Sequence, residues 1–274
     1  MRWLDRRNQE LADPVVHEGG AVVSLTTFGQ RWSRVHYTIE SIGSGRVKPS
    51  RLLLWVAPSL LEDGIPEPLK RLQRRGLEVL SCDDVGPHTK YFPAVNHLPL
   101  RCDLVTADDD VLYPLDWLER LRDAALQRPE QIVAHRARTI SFLGDGQLAP
   151  YVQWRHCNDV SPSPLHFALG VGGVLYPPVM QHALRDAGDG FRLCCPRADD
   201  VWLKVVALHH GVDVCQIAPT PPLVTDLPGT KGSGLARHNV SGGGNDEQIR
   251  ATFDSTALSA LREARLLVGH PARA

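Results

Sequence analysis

The sequence predicts an α/β fold, a mostly parallel central sheet flanked by helices, and three observations predict it. Its first half alternates nearly continuous apolar runs with amphipathic segments, as strands buried on both faces by crossover helices do. Its 274 residues suffice for a full core, and 43% hydrophobic with 22% charged residues are the proportions of an ordinary globule. Three consecutive aspartates, Asp108, Asp109 and Asp110, close the fourth apolar run, where a parallel sheet opens its ligand crevice.

The elements follow in order. AVVSLTTF (21–28), rich in Val and Thr, reads as the first strand. SRVHYTIESIGSG (33–45) is an amphipathic helix with Val35, Ile39 and Ile42 on one face and glycines to end it. RLLLWVA (51–57) is a second strand; Pro66 opens a helix that Gly76 stops; LEVLSC (77–82) is a third strand. TKYFPAVNHL reads as an irregular connection and DLVTAD as the fourth strand. Further on, YPLDWLERLRDAALQ predicts a helix, QIVAHRARTISF one strand, and the stretch from Leu143 to Phe167 loops. GVGGVLYPP (170–178) turns into a strand, ADDVWLKVVALHHG is a helix opened by Asp199 and Asp200, and VDVCQIA is the last strand. A glycine- and proline-rich segment runs from Pro219 to Gly244, followed by one closing helix from about Asp246 to Leu267.

The bulk numbers exclude several classes. A net charge of −1 argues against a protein that grips nucleic acid. No run approaches the roughly 18 apolar residues of a spanning helix, and MRWLDRRNQE lacks the apolar stretch of a secretory signal. The six cysteines show no C-x-x-C pairing, so reduced, mostly buried thiols in a cytoplasmic protein are expected.

Four constellations carry chemistry, each with a plainer reading beside it. At a strand end Asp108 and Asp110 can face one crevice and share Mg²⁺ or Mn²⁺, hard ions that take one or two carboxylates plus substrate phosphates; alternatively the triplet caps a helix near Pro114. Asp110 is followed by VLYP rather than Gly-Thr, which weighs against a haloacid-dehalogenase-like phosphatase. SLTTFGQR contains no G-x-G-x-x-G, but Thr26 and Thr27 offer hydroxyls for a base or ribose, or only a strand-to-helix cap. Asp199 and Asp200 begin a helix, where carboxylates suit the macrodipole, and an aspartate of pKa about 3.9 is also ionised and available as a base. Gly170, Gly172 and Gly173 let backbone approach a ligand or form a tight turn, and His238 is a surface histidine or a ligand.

In this order and spacing, from about Ala21 to His238, the chain resembles the metal-dependent GT-A glycosyltransferases, particularly the bacterial family-two-like branch. The D-x-D is met by Asp108, Asp109 and Asp110, the glycine-rich acceptor loop by Gly170 to Gly173, and the x-E-D by Ala198, Asp199 and Asp200 with Asp in place of Glu; the late metal histidine is best met by His238. The resemblance implies one GT-A domain over 1–274: a nucleotide-sugar-binding half (21–113), an acceptor and catalytic half (114–245) and a C-terminal helix (246–274). It implies a nucleotide-diphosphate sugar, UDP-sugar favoured, with its base near Thr26, Thr27 and Phe28. Asp108 and Asp109 would lie on the donor side, and Arg31, Lys90 or Lys231 would add positive charge. Mn²⁺ or Mg²⁺ would sit on Asp110, Asp108 and His238, and Asp200, supported by Asp199, would take a proton from a glycan or small-molecule hydroxyl, giving inversion. A retaining transferase, a sugar nucleotidyltransferase and a non-catalytic carbohydrate-binding relic are the alternatives. The closing helix, basic and amphipathic, is expected to pack on the domain; peripheral contact with the inner membrane face is its other use.

Overall fold

The computed structural model describes residues 1–62, 64–99, 101–229 and 242–269. A helix not foreseen from sequence, α1 (Arg2–Glu10), precedes β1 (Val22–Thr26) and α2 (Val35–Gly43). After β2 (Arg51–Val56) come α3 (Pro58–Glu62) and α4 (Glu67–Gln73); Gly76, at φ 105°, takes the left-handed turn into β3 (Leu77–Ser81). The segment read as irregular holds a helical turn (Gly86–Lys90) and α5 (Phe92–His97), because Pro93 stands in the first turn, where a missing N–H breaks nothing.

β4 (Leu104–Thr106) ends at the aspartates, and a short strand β5 (Val111–Leu112) separates them from α6 (Trp117–Gln127), so they do not cap that helix. The single strand expected at QIVAHRARTISF is two, β6 (Ile132–Ala134) and β7 (Ala137–Thr139), in different sheets. The loop-rich section contributes β8 (Arg155–His156) and β9 (His166–Ala168), which flank β7 in a small antiparallel sheet. β10 (Val174–Tyr176), α7 (Pro178–Ala187), α8 (Phe191–Cys194), α9 (Asp199–His209) and β11 (Val214–Gln216) follow. β12 (Thr225–Asp226) pairs antiparallel with β5. The closing helix is broken into α10 (Gly244–Thr252) and α11 (Ser255–Gly269), where Asp254 accepts a bond from the Ala257 N–H at 2.9 Å and so restarts the helix.

The central sheet has seven strands in the order β11-β6-β10-β4-β1-β2-β3, and only β10 runs against the rest. Alternate residues of β2 show why its sequence is apolar throughout. Leu52, Leu54 and Val56 enter one core with Leu25, Ile39 and Leu121, whereas Leu53 and Trp55 enter another with Met180, Leu184 and Val206. A fully buried side chain of this kind stabilises by about 1.5–3 kcal/mol, so a charge on either face is excluded. A third cluster, with Tyr151, Trp154, Phe167 and Phe191, sits under the small sheet; Ala257, Leu261 and Ala264 of α11 pack into it. Among the described residues no helix is long and apolar enough to cross a membrane.

Candidate active site

The carboxyl ends of β1 and β4, the turn before α5 and the start of α9 meet in one crevice. Parallel register sets Ser24 of β1 beside Thr106 of β4, so the next residues, Thr26 to Phe28 and Asp108 to Asp110, leave the sheet side by side. Ser24 Oγ donates to the Lys90 carbonyl at 2.7 Å and accepts from Trp55 Nε1 at 3.0 Å, which fastens the Lys90 turn over β1.

The three neighbouring aspartates are compensated one by one. Asp109 is buried; its Oδ1 accepts from Arg31 Nη1 at 2.6 Å and its Oδ2 from Thr27 Oγ1 at 2.5 Å, while Thr38 Oγ1 donates to its carbonyl at 2.9 Å. Arg31 also holds Asp110, Nη2 to Oδ2 at 2.8 Å. Lys90, buried to 8% exposure, donates to Asp108 Oδ1 at 2.7 Å and lies 3.2 Å from Asp199 Oδ2. Burial pushes the Asp110 carboxyl up to about 6, against the pull of Arg31 and with the push of Asp108 and Asp109. Burial also raises Asp109, opposed by Arg31 and Thr27. For Lys90, burial disfavours the charge, but Asp108, Asp199 and Asp200 outweigh it and hold the ammonium well above its ordinary value.

Asp200 stands one residue into α9, with the Gly170 N–H donating to its Oδ1 at 3.2 Å and to its Oδ2 at 3.3 Å. Burial and the adjacent Asp199 raise it to about 8, against Lys90 and the Gly170 N–H. The glycine loop is clamped from behind: Trp117 Nε1 donates to the Gly172 carbonyl at 2.7 Å, and a Cβ on Gly173, at φ 90°, would lie 2.5 Å from the Trp117 ring. Only glycine fits there.

The structure therefore brings together Asp108, Asp109, Asp110, Asp199, Asp200, Arg31, Lys90 and Gly170. Two expected donor contacts are turned inward instead: Thr26 Oγ1 donates to the Trp55 carbonyl at 2.9 Å, and Thr27 and Asp109 are committed to each other. Phe28 is exposed, with the Arg31 guanidinium 5.1 Å from its ring centre. His238 and Lys231 lie outside the described residues. Sequence reasoning missed Tyr113, whose hydroxyl accepts the Asp108 N–H at 2.9 Å. It also missed that Leu227, just beyond β12, donates its N–H to the Asp110 carbonyl at 2.7 Å; neither partner carries a motif that would have flagged it.

Among the described residues no three His, Cys, Asp or Glu side chains gather as a ready-made metal cage. A divalent ion that arrives with phosphates asks for less. Asp108 Oδ2 and Asp110 Oδ1 stand outside the ion pairs that hold their partner oxygens, and one or two carboxylates are what Mg²⁺ or Mn²⁺ takes beside a phosphorylated ligand. The donor set fits such an ion.

No protein-family model matches the chain, and no curated protein matches it in sequence. Solved structures do resemble it in outline. A Pyrobaculum calidifontis mannosyltransferase in complex with GDP-Man and Mn²⁺ is 13% identical, with a TM-score of 0.49, over 100% of this chain and 82% of that one. An Anaerococcus prevotii 4-diphosphocytidyl-2C-methyl-D-erythritol synthase is 9% identical, with a TM-score of 0.47, over 72% and 87%. Staphylococcus aureus TarS is 8% identical, with a TM-score of 0.43, over 72% and 58%. The chemistry of this chain is argued below from its own residues.

Proposed function

We propose that the chain is a GT-A-type glycosyltransferase that moves a sugar from a nucleotide-diphosphate sugar to a hydroxyl of a glycan or small molecule. One observation carries this reading: two aspartates that each keep one oxygen outside the ion pairs among the described residues, Asp108 and Asp110, share a crevice with a carboxylate base candidate, Asp200, that Gly170 holds in place. The strand-end position suits the diphosphate, and exposed Phe28 offers a ring face to the base. UDP is the favoured nucleotide.

Asp108 and Asp110 would hold Mn²⁺ or Mg²⁺, with His238 as a further ligand. A bound ion would supply Lewis-acid stabilisation of the charge left on the departing diphosphate. Asp200 accepts the acceptor hydroxyl's proton as that oxygen bonds to the anomeric carbon. The bond from this carbon to the diphosphate oxygen breaks, its electron pair leaves with the diphosphate, and the configuration inverts. A carboxylate with a pKa raised to about 8 is a stronger base than an ordinary aspartate once ionised, and Lys90 beside it favours ionisation. Gly170 fixes the carboxylate's aim.

Thermal-shift measurements with UDP, GDP, CDP and dTDP, each with and without Mn²⁺, test the reading on wild type and Asp110→Asn. A nucleotide present at a hundred times its Kd stabilises by about 2.7 kcal/mol. A shift for one nucleotide that requires the ion and vanishes in the variant is expected. No ion-dependent shift with any of the four overturns the proposal. Product analysis then separates inverting transfer from retaining transfer and from nucleotidyl transfer.

A further inference from the structure

We propose that Lys90 is a built-in counter-ion whose ammonium stands in for a divalent cation between Asp108 and Asp199, so that the cation enters the crevice only together with a diphosphate. This rests on the transferase reading and adds an order of binding to it.

The placement is that of a bound ion rather than a surface lysine. Its Nζ lies 2.7 Å from Asp108 Oδ1 and 3.2 Å from Asp199 Oδ2. The ammonium thus bridges two carboxylates, and a Cβ built on Gly170 would sit 3.3 Å from both Lys90 Nζ and Asp200 Oδ1, and 3.8 Å from Asp108 Oδ1, so the third carboxylate borders the same space. The Lys90 side chain is buried, and its backbone is pinned through Ser24 to Trp55. Asp199 Oδ2 is buried without a hydrogen-bond partner among the described residues, which leaves the ammonium as its compensation there. A compact point charge at the end of a flexible stem can yield its place to an ion, which a forked guanidinium locked onto two carboxylates, such as Arg31, does less readily.

Charge balance gives the order. Among the described residues Asp108, Asp109, Asp110, Asp199 and Asp200 face Lys90 and Arg31, five carboxyl groups to two cations. A diphosphate alone would add negative charge to this surplus. A divalent ion alone would have to settle beside the ammonium that already holds Asp108. Arriving together, the two offset one another, and Lys90 can turn from Asp108 to a phosphate oxygen.

Equilibrium dialysis reads the Mn²⁺ retained by the protein, alone or with UDP or GDP, in wild type, Lys90→Met and Lys90→Arg. Wild type is expected to retain Mn²⁺ at least tenfold more tightly with nucleotide than without. Lys90→Met should bind Mn²⁺ alone at least tenfold more tightly than wild type, and its melting temperature should rise with Mn²⁺ alone where that of wild type does not. Lys90→Arg keeps the charge and should bind no more Mn²⁺ alone than wild type does, while its guanidinium, slower to yield Asp108, should weaken the nucleotide-dependent retention. Should Lys90→Met not fold, Lys90→Gln, which retains a donor to Asp108, replaces it. Nucleotide-dependent Mn²⁺ retention in wild type without any gain for Mn²⁺ alone in the neutral variants overturns the role of Lys90 and leaves the transferase reading standing. No Mn²⁺ retained by wild type with either nucleotide overturns both.

Discussion

Two buried charge clusters in this molecule follow opposite rules. On the helical flank Glu40 of α2, fully buried, accepts from Arg75 Nη1 at 2.5 Å and from Asn8 Nδ2 at 3.0 Å, with Arg7 3.8 Å away. One carboxylate there meets two guanidiniums and an amide, and Asn8 itself is fixed by Arg71 Nε at 2.8 Å. In the crevice, among the described residues, five carboxyl groups meet two cations. Glu40 and Arg75 of the first cluster are closed off from solvent and tie α1 and α2 together, although Glu40 Oε2 and Arg75 Nη2 have no hydrogen-bond partner among the described residues. The second carries surplus negative charge at a strand end, where a ligand can balance it. The sign of the imbalance, not the presence of buried charge, separates structure from function.

The strongest test of the contrast removes the proposed base. Asp200→Asn should slow sugar transfer by about 10²–10⁴-fold while leaving the ion-dependent nucleotide shift in place. An unchanged rate would mean the proton goes elsewhere and the Gly170–Asp200 contact is structural. The matching test removes the closed cluster's acid. Glu40→Gln leaves Arg75 buried and uncompensated and should lower stability in a denaturant melt by about 3–5 kcal/mol without altering nucleotide affinity. A loss of affinity would show that the two clusters are coupled and that the division drawn here is too clean.

Lys204 belongs to neither cluster and sharpens the rule. It lies on α9 one turn beyond Asp200, 3% exposed, and its Nζ has no hydrogen-bond partner among the described residues. Burial lowers its pKa to about 7, opposed only by Asp213. The unfolded lysine keeps its proton up to about pH 10.4, whereas the folded one gives it up near 7. Between those values the unfolded state binds more protons, so stability rises with pH through that window. The wild type should gain on the order of a few kcal/mol relative to Lys204→Met as pH climbs from 7 to 10, read from paired melts. A constant difference between the two proteins would show that Lys204 keeps its charge and has found a partner on opening.

How much of this was legible in the sequence depended on the range of the interaction. β1 to β4 could be read because burial on both faces demands unbroken apolar runs, and the strand-end position of Asp108 to Asp110 followed from β4 alone. The parting of β6 from β7 could not be read, since Ala137 leaves the central sheet only because Ala168 of β9 is there to pair with it. Nor could the reversed direction of β10, which lies between β4 and β6 in space but far from both in the chain. In the site, residue types were visible and partners were not: Arg31 finds Asp109 across 78 positions, and Thr27 finds it across 82. Both buried lysines come from a chain with few lysines among many arginines, and that scarcity was the one local signal available.

Two glycines three residues apart make the smallest and sharpest comparison. At Gly173 an alanine would be forced to φ 90° with its Cβ 2.5 Å from the Trp117 ring. Overpacking of this kind costs about 1–3 kcal/mol, so Gly173→Ala should melt earlier and affect function only by displacing the loop. Gly170 is not in the left-handed region, and the atoms nearest its added methyl would be Asp200 Oδ1 and Lys90 Nζ at 3.3 Å and Asp108 Oδ1 at 3.8 Å. These side chains can give by tenths of an ångström, so Gly170→Ala should change stability by about 1 kcal/mol or less. The methyl nevertheless stands where base, ammonium and strand-end carboxylate converge, and it should weaken ion-dependent nucleotide binding far more than the melt suggests. If Gly170→Ala binds nucleotide as wild type does while Gly173→Ala does not, the working space of the crevice lies on the Trp117 side of the loop, away from Asp200.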